Sequence, residues 1–304
     1  MAEWEPQCGV QLTWPHKDTD WAPILPEITA VYEEMAREIS KRESLIIVDD
    51  IPHNDTWARD HGFITVEEDG QLILLDFQFN GWGEKFPAEL DNQINKHLYD
   101  KGLVKGVYED HLDFVLEGGS IESDSKGTVF TTACCLLAPH RNQPLTAQQI
   151  EDRLKEYLGA ERIVWLHHGS LIGDDTDGHI DTLVRICPDD TLLYTGGDED
   201  HPDLYEMEHE LQTLRTIEGQ PYRLLKLPLP RPIYDEGDRL PATYANYLVI
   251  NGAVLVPTYN QPDLDQEAMH VIQQAFHDRE IVGIDCRAVI KQHGSLHCCT
   301  MQYY

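Results

Sequence analysis

Two adjacent cysteines near the end of the chain are the residues best suited to nucleophilic chemistry. Cys298 and Cys299 lie in a short, mostly apolar run that begins at Gly294, a pattern typical of a buried strand. Side chains alternate across a strand, so His297 and Cys299 should share one face while Cys298 faces the other way. We therefore expect Cys298 to act as a nucleophile in a site. The alternative is that both cysteines pack as small hydrophobic residues.

A histidine and an aspartate in the segment Gly173–Thr182 can supply acid–base chemistry. His179 and Asp181 are two residues apart, so on a strand they would share a face and place an imidazole beside a carboxylate. The aspartates of this segment also suggest a calcium loop, but the spacing of an EF-hand is absent. A zinc site from His179, His297 and cysteines lacks the usual ligand spacings. We expect no metal.

Two further acidic residues precede predicted strands. Asp60 lies in the polar stretch Asn54–Gly62 and is a candidate carboxylate for a cationic ligand, although Arg59 can pair with it. Glu117 ends an apolar run and meets two glycines, which indicates a tight turn. Burial of a carboxylate there costs free energy unless it has a partner. The structural alternatives are a surface salt bridge at Asp60 and an ordinary turn at Glu117.

A loose internal repeat positions these residues. Apolar residues at three-to-four spacing predict five helices: Glu27–Lys41, Ala88–Lys101, Ala147–Leu158, Asp203–Glu218 and Asp265–His277. Each helix is followed by a short apolar strand and then by a second strand that a small residue opens. These second strands are predicted to begin at Gly62, Gly119, Gly178, Ala245 and Gly294.

The repeat predicts the fold class. Its period is about 50 to 65 residues, which favours modules arranged around an axis with one loop of each module at the same end. The last module lacks a returning strand, and the run Gly9–Trp14 can supply it. We predict a single α/β domain over residues 1–304 with pseudo-fivefold arrangement. A doubly wound sheet is the alternative, but the chain lacks the usual phosphate-binding glycine loops.

Composition narrows the classes of function. The 304 residues include 54 acidic and 23 basic ones, for a formal net charge of −31. Such a surface repels nucleic acid and anionic membranes and attracts small cations. No apolar run is long enough to span a membrane, and the N-terminus does not resemble a signal peptide. The seven cysteines suit reduced thiols in the cytoplasm.

Together the clusters offer a thiol, an imidazole and three carboxylates from equivalent points of different modules. A guanidinium is a ligand that suits several carboxylates, because it is planar and cationic and offers five donors. The central carbon of such a group is a poor electrophile until it is held and polarised. These residues therefore favour chemistry on a small guanidino substrate.

The chain resembles the agmatine deiminase family. Motifs similar to those of the family run from end to end: Glu3–Gln7, Leu12–Pro15, Trp57–Asp60, Phe79–Gly83, Leu116–Ser120, Gly178–Asp181 and Gly294–Cys298. That family is grouped with bacterial peptidylarginine deiminases in the guanidino-group-modifying superfamily. The resemblance implies a five-bladed α/β propeller (the pentein fold). Two segments depart from the family pattern, the glycine-poor Gln292–Ser295 and the stretch Gly81–Phe86.

The resemblance also implies roles for individual residues. Cys298 would attack the guanidinium carbon and form a covalent amidino-thioether, while His179 protonates the departing ammonia and then activates water. Glu117 would orient His179, and Asp60 and Asp181 would hold the guanidinium nitrogens. Two tryptophans are expected to wall the channel, although both also suit the core: Trp57 and Trp82. Because three carboxylates surround Cys298, its thiolate should be disfavoured until a cationic substrate binds.

The implied function is deimination of agmatine to N-carbamoylputrescine and ammonia, with no cofactor, in a cytoplasmic homodimer. Protein-arginine deimination is the alternative within the same chemistry, and amidino transfer would need an ordered amine acceptor. A non-catalytic polyamine-binding protein with inert cysteines is the alternative outside enzymes.

Overall fold

The computed structural model describes residues 1–197 and 199–304 and has a mixed α/β fold. Its α-helices are, in chain order, α1 Leu25–Ser40, α2 Ala58–His61, α3 Gly81–Glu84, α4 Asp91–Asp100, α5 Ala133–Leu136, α6 Ala147–Leu158, α7 Pro202–Thr213 and α8 Pro262–Ala275. The five long ones, α1, α4, α6, α7 and α8, match the five predicted helices. Short 3-10 helices cover Ala22–Ile24, Gly118–Ser120, Ile180–Thr182, Val289–Gln292 and His297–Cys299.

Strands supply the rest of the regular structure. They are β1 Gly9–Thr13, β2 Ser44–Val48, β3 Ile64–Glu68, β4 Gln71–Gln78, β5 Val107–Val115, β6 Ile121–Ser123, β7 Thr128–Thr132, β8 Arg162–Leu166, β9 Val184–Cys187, β10 Thr191–Thr195, β11 Arg223–Leu227, β12 Tyr234–Asp235, β13 Asp238–Arg239, β14 Leu248–Ile250, β15 Ala253–Thr258, β16 Glu280–Asp285 and β17 Thr300–Tyr303.

One unit recurs through the chain. In the described residues the strands form five three-stranded sheets, β17-β1-β2, β3-β4-β5, β6-β7-β8, β9-β10-β11 and β14-β15-β16, together with the ribbon β12-β13. In every three-stranded sheet the middle strand runs antiparallel to the first and parallel to the third. A long helix joins the middle strand to the third, as a parallel crossover requires. Separate sheets of this kind leave no single doubly wound sheet.

The first and last strands complete one of these sheets. In β1, Gly9 pairs with Tyr303 of β17 on one side and with Ser44 of β2 on the other. All five residues of β1 are buried, as expected for a central strand. The N-terminal run therefore supplies the strand that the last module lacks, as the sequence predicts.

Local signals set the bounds of α6. The Thr146 side chain accepts a hydrogen bond from the backbone N–H of Gln149, whose own side chain accepts from the Thr146 N–H, so a capping box is present. The helix ends at Gly159, whose φ of 64° suits glycine. Ile150 and Leu154 are the buried residues of the helix, one turn apart on the face that packs against its sheet.

The segments predicted to open the second strands differ from the prediction. Four of them contain a one-turn helix before the strand: α2 and the 3-10 turns that begin at Gly118, Ile180 and His297. In three cases a hydroxyl donates to the backbone carbonyl three residues earlier, Ser120 to Glu117, Thr182 to His179 and Thr300 to His297. Such local hydrogen bonds compete with strand pairing and favour a turn.

The core is built from apolar faces of the helices and sheets, with the largest cluster around β1, β14, β15, α1 and α8. None of the helices in the described part of the chain is both long and apolar enough to cross a bilayer.

Candidate active site

Cys298 lies in the 3-10 turn His297–Cys299 and is 3% exposed. Its Sγ lies 3.4 Å from Oδ1 of Asn246 and 3.9 Å from Oδ2 of Asp181. Cys299 is fully buried, and its Sγ lies 3.4 Å from the carbonyl oxygen of Ser295. The expected alternation of a strand is therefore wrong here, because successive side chains of a 3-10 turn point about 120° apart. One thiol still lines a cavity while its neighbour packs in the core.

His179 and Asp60 meet beside this cysteine, and both are buried. The Nδ1 of His179 lies 3.7 Å from Oδ1 of Asp60, and neither ring nitrogen has a hydrogen-bond partner among the described residues. Asp60 is held from two sides, because its Oδ2 accepts from the indole N–H of Trp82 at 2.9 Å and its Oδ1 accepts from the Gly119 N–H at 3.0 Å. The imidazole is thus free to bind a ligand, whereas the carboxylate is fixed.

Glu117 approaches His179 from another unit. Its Oε1 accepts from Nε of Arg141 at 2.8 Å, whereas its Oε2 has no partner among residues 1–197 and 199–304. Glu117, His179 and Cys135 bring ligand-type atoms within 4.8 Å of one another. Glu117 therefore lies near His179, and a buried guanidinium holds its carboxylate.

Asp181 completes the set, within the turn Ile180–Thr182 rather than on a strand. Its Oδ2 lies 2.7 Å from Nδ1 of His297, and its Oδ1 has no partner in the described structure. The predicted sharing of a strand face by His179 and Asp181 is wrong, because the turn intervenes. The two side chains instead approach each other over Gly119, which leaves room for them because it has no side chain. A Cβ built on it would lie 2.6 Å from Nδ1 of His179, 2.9 Å from Oδ1 of Asp60 and 3.1 Å from Oδ2 of Asp181.

A cavity of about 200 Å³ leads to Cys298. Trp57 and Trp82 line this cavity and are also buried. Each tryptophan therefore belongs both to the wall of the cavity and to the core. A Cβ on Gly294 would lie 2.1 Å from the Trp57 ring, so the residue must be glycine for the ring to sit there. Besides Asp60, the acidic residues of the lining are Asp20, Asp55 and Asp175.

The electrostatics of the empty site oppose a thiolate. Burial raises the pKa of the Cys298 thiol well above its ordinary value, and the carboxylates of Asp181 and Asp60 raise it further. For His179, burial lowers the pKa, but the carboxylates of Asp60, Glu117 and Asp181 outweigh it and the net shift is upward. The direction at Cys298 is the one expected from the sequence, with burial as the larger cause. A cation placed among these groups would reverse part of both effects.

The zinc and calcium sites considered from the sequence are disfavoured, because their candidate ligands already have other partners. Both nitrogens of His297 lie against carboxylates, Nδ1 against Asp181 and Nε2 against Oε1 of Glu3 at 2.6 Å. In the aspartate-rich segment, Asp174 accepts from Thr176 and from the Gly178 N–H, which shapes the loop. In the described residues the group that can hold an ion is Glu117, Cys135 and His179, and there Arg141 already supplies a positive charge.

Several residues around the site are absent from the prediction. Asn246 comes from the fourth unit, and its Oδ1 also accepts from the N–H groups of His297 and Cys298 at 3.0 and 3.4 Å. Its place before β14 matches that of the other site residues before their strands, so the repeat could have indicated it. Arg141 and Glu3 had no comparable signal, because their partners are 24 and 294 residues away.

Comparisons with known proteins cover the whole chain. A Porphyromonas gingivalis protein of known structure is 50% identical and superposes with a TM-score of 0.95 over 100% of this chain and 97% of its own. A structure of a C. Jejuni agmatine deiminase with substrate bound is 37% identical, with a TM-score of 0.93 over 100% of this chain and 95% of its own. The agmatine deiminase of Pseudomonas aeruginosa (strain LESB58) is 30% identical over 99% of this chain and 94% of its own.

The profile of one family matches residues 1–303, nearly the full length. The chain therefore belongs to the Porphyromonas-type peptidyl-arginine deiminase family.

Proposed function

We propose that this protein is an agmatine deiminase, which hydrolyses agmatine to N-carbamoylputrescine and ammonia through a covalent intermediate on Cys298. The observation that carries the proposal is the convergence of Cys298, His179, Asp60 and Asp181, of which Cys298 and Asp60 line one cavity. The agmatine deiminases of Pseudomonas aeruginosa and C. Jejuni among its relatives support the choice of substrate.

Binding of the guanidinium follows from the unpaired polar atoms. Oδ1 of Asp181 and Oε2 of Glu117 are buried acceptors without a partner among the described residues, so a planar cation can satisfy both. Asp60 adds a third negative charge, held in place by Trp82 and Gly119. Charge-assisted hydrogen bonds from a guanidinium to such carboxylates fix the plane of the substrate and orient its carbon toward the sulfur.

The first half of the reaction forms the covalent bond. The bound cation lowers the pKa of the Cys298 thiol, whose proton leaves to solvent, and the thiolate attacks the guanidinium carbon. His179 gives its proton to one nitrogen of the tetrahedral intermediate, and ammonia departs. The carboxylates around His179 raise its pKa and so favour the protonated ring before ammonia departs.

The second half of the reaction hydrolyses the covalent intermediate and restores the free enzyme. His179, now neutral, takes a proton from water, which attacks the amidino carbon. Collapse of that adduct forms the carbonyl of the ureido product and releases the thiolate of Cys298, which takes a proton back from solvent when the product leaves. The departed ammonia takes up the remaining proton, so charge and atoms balance.

The acidic lining of the cavity favours a cationic tail over an amino-acid carboxylate. Asp20, Asp55 and Asp175 line it, and the lining among the described residues contains no lysine or arginine that could pair with a carboxylate. The primary ammonium of agmatine suits this environment, and the carboxylate of free arginine does not. A polyamine-binding protein would also suit the acids, but it would leave Cys298 and His179 without a use.

A second candidate is a peptidyl-arginine deiminase, because the family description names that activity. Its peptide substrate would have to extend past Trp57 and Trp82, which flank the cavity. We regard agmatine as the better fit, since a chain of main-chain carbonyls gains nothing from three aspartates.

We further propose the arrangement that brings the units together. The five sheets would surround a common axis as one propeller domain over residues 1–304, with the turns that carry Asp60, Glu117, His179 and Cys298 at one end. The family resemblance supports a homodimer, and the reduced state of the cysteines suits the cytoplasm.

Steady-state kinetics test the function directly. We expect kcat/KM for agmatine to exceed that for free arginine and for an arginine peptide by at least about 100-fold, measured by release of ammonia and of ureido product. Cys298→Ala should lose about 10⁴-fold or more, whereas Cys134→Ala, a change at an exposed cysteine, should not. Full activity of Cys298→Ala would exclude the mechanism, and a preference for the peptide would establish the second candidate.

A further inference from the structure

The N-terminal segment reaches the underside of the active site, where no substrate contact is expected. Oε1 of Glu3 lies 2.6 Å from Nε2 of His297, and Nδ1 of the same ring lies 2.7 Å from Oδ2 of Asp181. His297 directly precedes Cys298 and lies in the same turn. A continuous chain of hydrogen bonds thus joins Glu3 to a carboxylate of the proposed substrate site.

We propose that Glu3 is a positioning residue for the nucleophile and for the substrate: through His297 it fixes the orientation of Asp181 and of the turn that carries Cys298. This inference rests on the proposed function for its kinetic consequence, but its structural part does not.

The charges around the ring support this role. A neutral imidazole has one N–H and one lone pair, and a lone pair facing a carboxylate oxygen at 2.6 or 2.7 Å would be repulsive. The geometry therefore favours a proton on each nitrogen of His297. Burial raises the pKa of Glu3, but His297, Arg185 and Arg59 outweigh it and hold the pKa well below its ordinary value, so Glu3 stays ionised.

The charged groups that face this ring come from several elements. Glu3 and Asp181 bond to it, Arg185 lies 3.2 Å from its Nε2, Arg59 and Arg185 pair with Glu3, and Glu122 pairs with Arg185. With His297 protonated, these six residues carry three positive and three negative charges. The cluster is then neutral, and the imidazolium offsets Asp181 next to the sulfur.

The hydrogen bonds from Glu3 through His297 also determine which oxygen of Asp181 is available to a ligand. His297 occupies Oδ2, which also lies 3.9 Å from the sulfur, so Oδ1 is left without a partner among the described residues and is the oxygen proposed for the guanidinium. If the ring were released, Asp181 could rotate, and the distance of its oxygens from the sulfur would no longer be fixed. The orientation of this carboxylate therefore depends on a residue at the opposite end of the sequence.

The N-terminal segment is anchored well enough to serve this purpose. The Gln7 side chain donates to the Glu3 carbonyl oxygen at 2.6 Å, and Arg279 donates to the Trp4 carbonyl oxygen at 2.5 Å. Ala2 is 1% exposed. These hydrogen bonds hold the backbone at Glu3 and at the residue after it, and they limit fraying.

The test compares Glu3→Gln with Glu5→Gln, whose side chain contacts Ser125 and the Ala2 N–H rather than the histidine. In Glu3→Gln an amide replaces the carboxylate that holds Nε2 of His297. The ring should then no longer hold Asp181 in place, and a released carboxylate that comes closer to the sulfur should raise the pKa of Cys298. We expect iodoacetamide labelling of Cys298, followed by mass spectrometry, to require a pH about one unit higher, and kcat for agmatine at pH 7 to fall about tenfold or more. KM should change less than about threefold, since Asp60 and Asp181 remain.

Glu5→Gln should match the wild type in labelling and kinetics, and Glu3→Asp should recover part of kcat. An unchanged labelling profile in Glu3→Gln, or equal losses in both variants, would overturn the inference. If Glu3→Gln does not fold, ¹⁵N NMR of the wild-type imidazoles decides: two protonated nitrogens at His297 near neutral pH support it, and a neutral ring overturns it. Labelling and NMR need no turnover, so an inactive wild type with the expected profile would defeat the proposed function alone.

Discussion

Two polar regions meet at Cys298, and they differ in whether their buried polar atoms have hydrogen-bond partners. The open side consists of Asp60, Glu117, His179 and Asp181, of which Asp60 lines the cavity. Four of their buried polar atoms have no partner among the described residues: Oε2 of Glu117, both nitrogens of His179 and Oδ1 of Asp181. On the closed side lie Glu3, Arg59, Glu122, Arg185 and His297, where Nε of Arg59 is the corresponding exception within the same residues.

The difference indicates what each region is for. Unpaired buried polar atoms cost free energy, so they persist where a ligand supplies the missing partner. Paired charges of opposite sign instead hold the surrounding backbone in one arrangement. Changes on the closed side should therefore reduce stability first, and changes on the open side should reduce activity first.

The largest effect is expected from Arg185→Met on the closed side. The guanidinium of Arg185 pairs with Glu122 at 2.5 Å and Glu3 at 2.6 Å, donates to two backbone carbonyls, and lies 4.4 Å from the centre of the Tyr247 ring. Its loss leaves two buried carboxylates without their main partner. The free energy of unfolding should fall by about 4 to 5 kcal/mol, measured by urea denaturation.

An exposed pair provides the matched control. Arg231 and Asp263 lie 2.6 Å apart, but their side chains are 57% and 64% exposed. Arg231→Met should leave the urea midpoint nearly unchanged, because water and salt screen such pairs. Equal losses in the two variants would mean that burial of the Arg185 cluster contributes nothing.

The next effect is expected from Asp60→Asn on the open side. The change removes a negative charge from the guanidinium site and places an amide N–H₂ against one of two donors, Trp82 or Gly119. We expect kcat/KM for agmatine to fall about 1,000-fold, or about 4 kcal/mol of transition-state stabilisation. Burial raises the pKa of Asp60, and the carboxylates of Asp181 and Glu117 add to this, whereas His179 and Trp82 oppose it. A neutral amide avoids the cost of burying this charge, so we expect the loss of stability to be small beside the loss of activity.

Thermal unfolding of the same sample completes the comparison. A loss of stability in Asp60→Asn as large as in Arg185→Met, with most activity retained, would remove the distinction between the two sides. Ligand protection gives a second measure: a non-reacting guanidino compound should raise the Tm of the wild type and fail to raise that of Asp60→Asn.

The repeat made much of this architecture predictable. Helix periodicity located the five long helices, and the small residues before the second strands located Asp60, Glu117, His179 and Cys298. The turns that contain Asp181 and Cys298 were predicted as strands, because short apolar runs do not distinguish the two, whereas the tight turn expected after Glu117 is present. A hydroxyl three residues after Glu117, His179 and His297 was the available signal for a turn.

The closed side could not be predicted in the same way. Glu3 and His297 are 294 residues apart, and Arg185 bonds to Glu3 across 182. Such pairings depend on how the units are placed in space, and a single sequence has no period that reports them. The open side was easier because its residues recur at equivalent points of each unit.

The smallest effect concerns a buried carboxylate that belongs to neither side. Asp91 is 1% exposed, and its Oδ1 accepts from the N–H groups of Asn54 and Asp55. Burial raises its pKa to about 7, more than the backbone N–H groups lower it. The folded protein therefore favours the protonated form, and the associated stability, present below the unfolded-state pKa, is lost as the pH rises from about 4 to 7. Asp91→Asn should remove this loss, because one amide oxygen can accept both bonds.

We therefore expect Asp91→Asn to match the wild type near pH 4 and to exceed it by about 2 kcal/mol at pH 8 in urea denaturation. Asp263→Asn reverses the sign: Arg231 holds the pKa of Asp263 low, so any stabilisation is present at neutral pH and lost in acid. A constant difference between Asp91→Asn and the wild type from pH 4 to 8 would mean that Asp91 is already ionised at low pH. Burial would then fail to raise the pKa of a carboxylate that accepts from two backbone N–H groups.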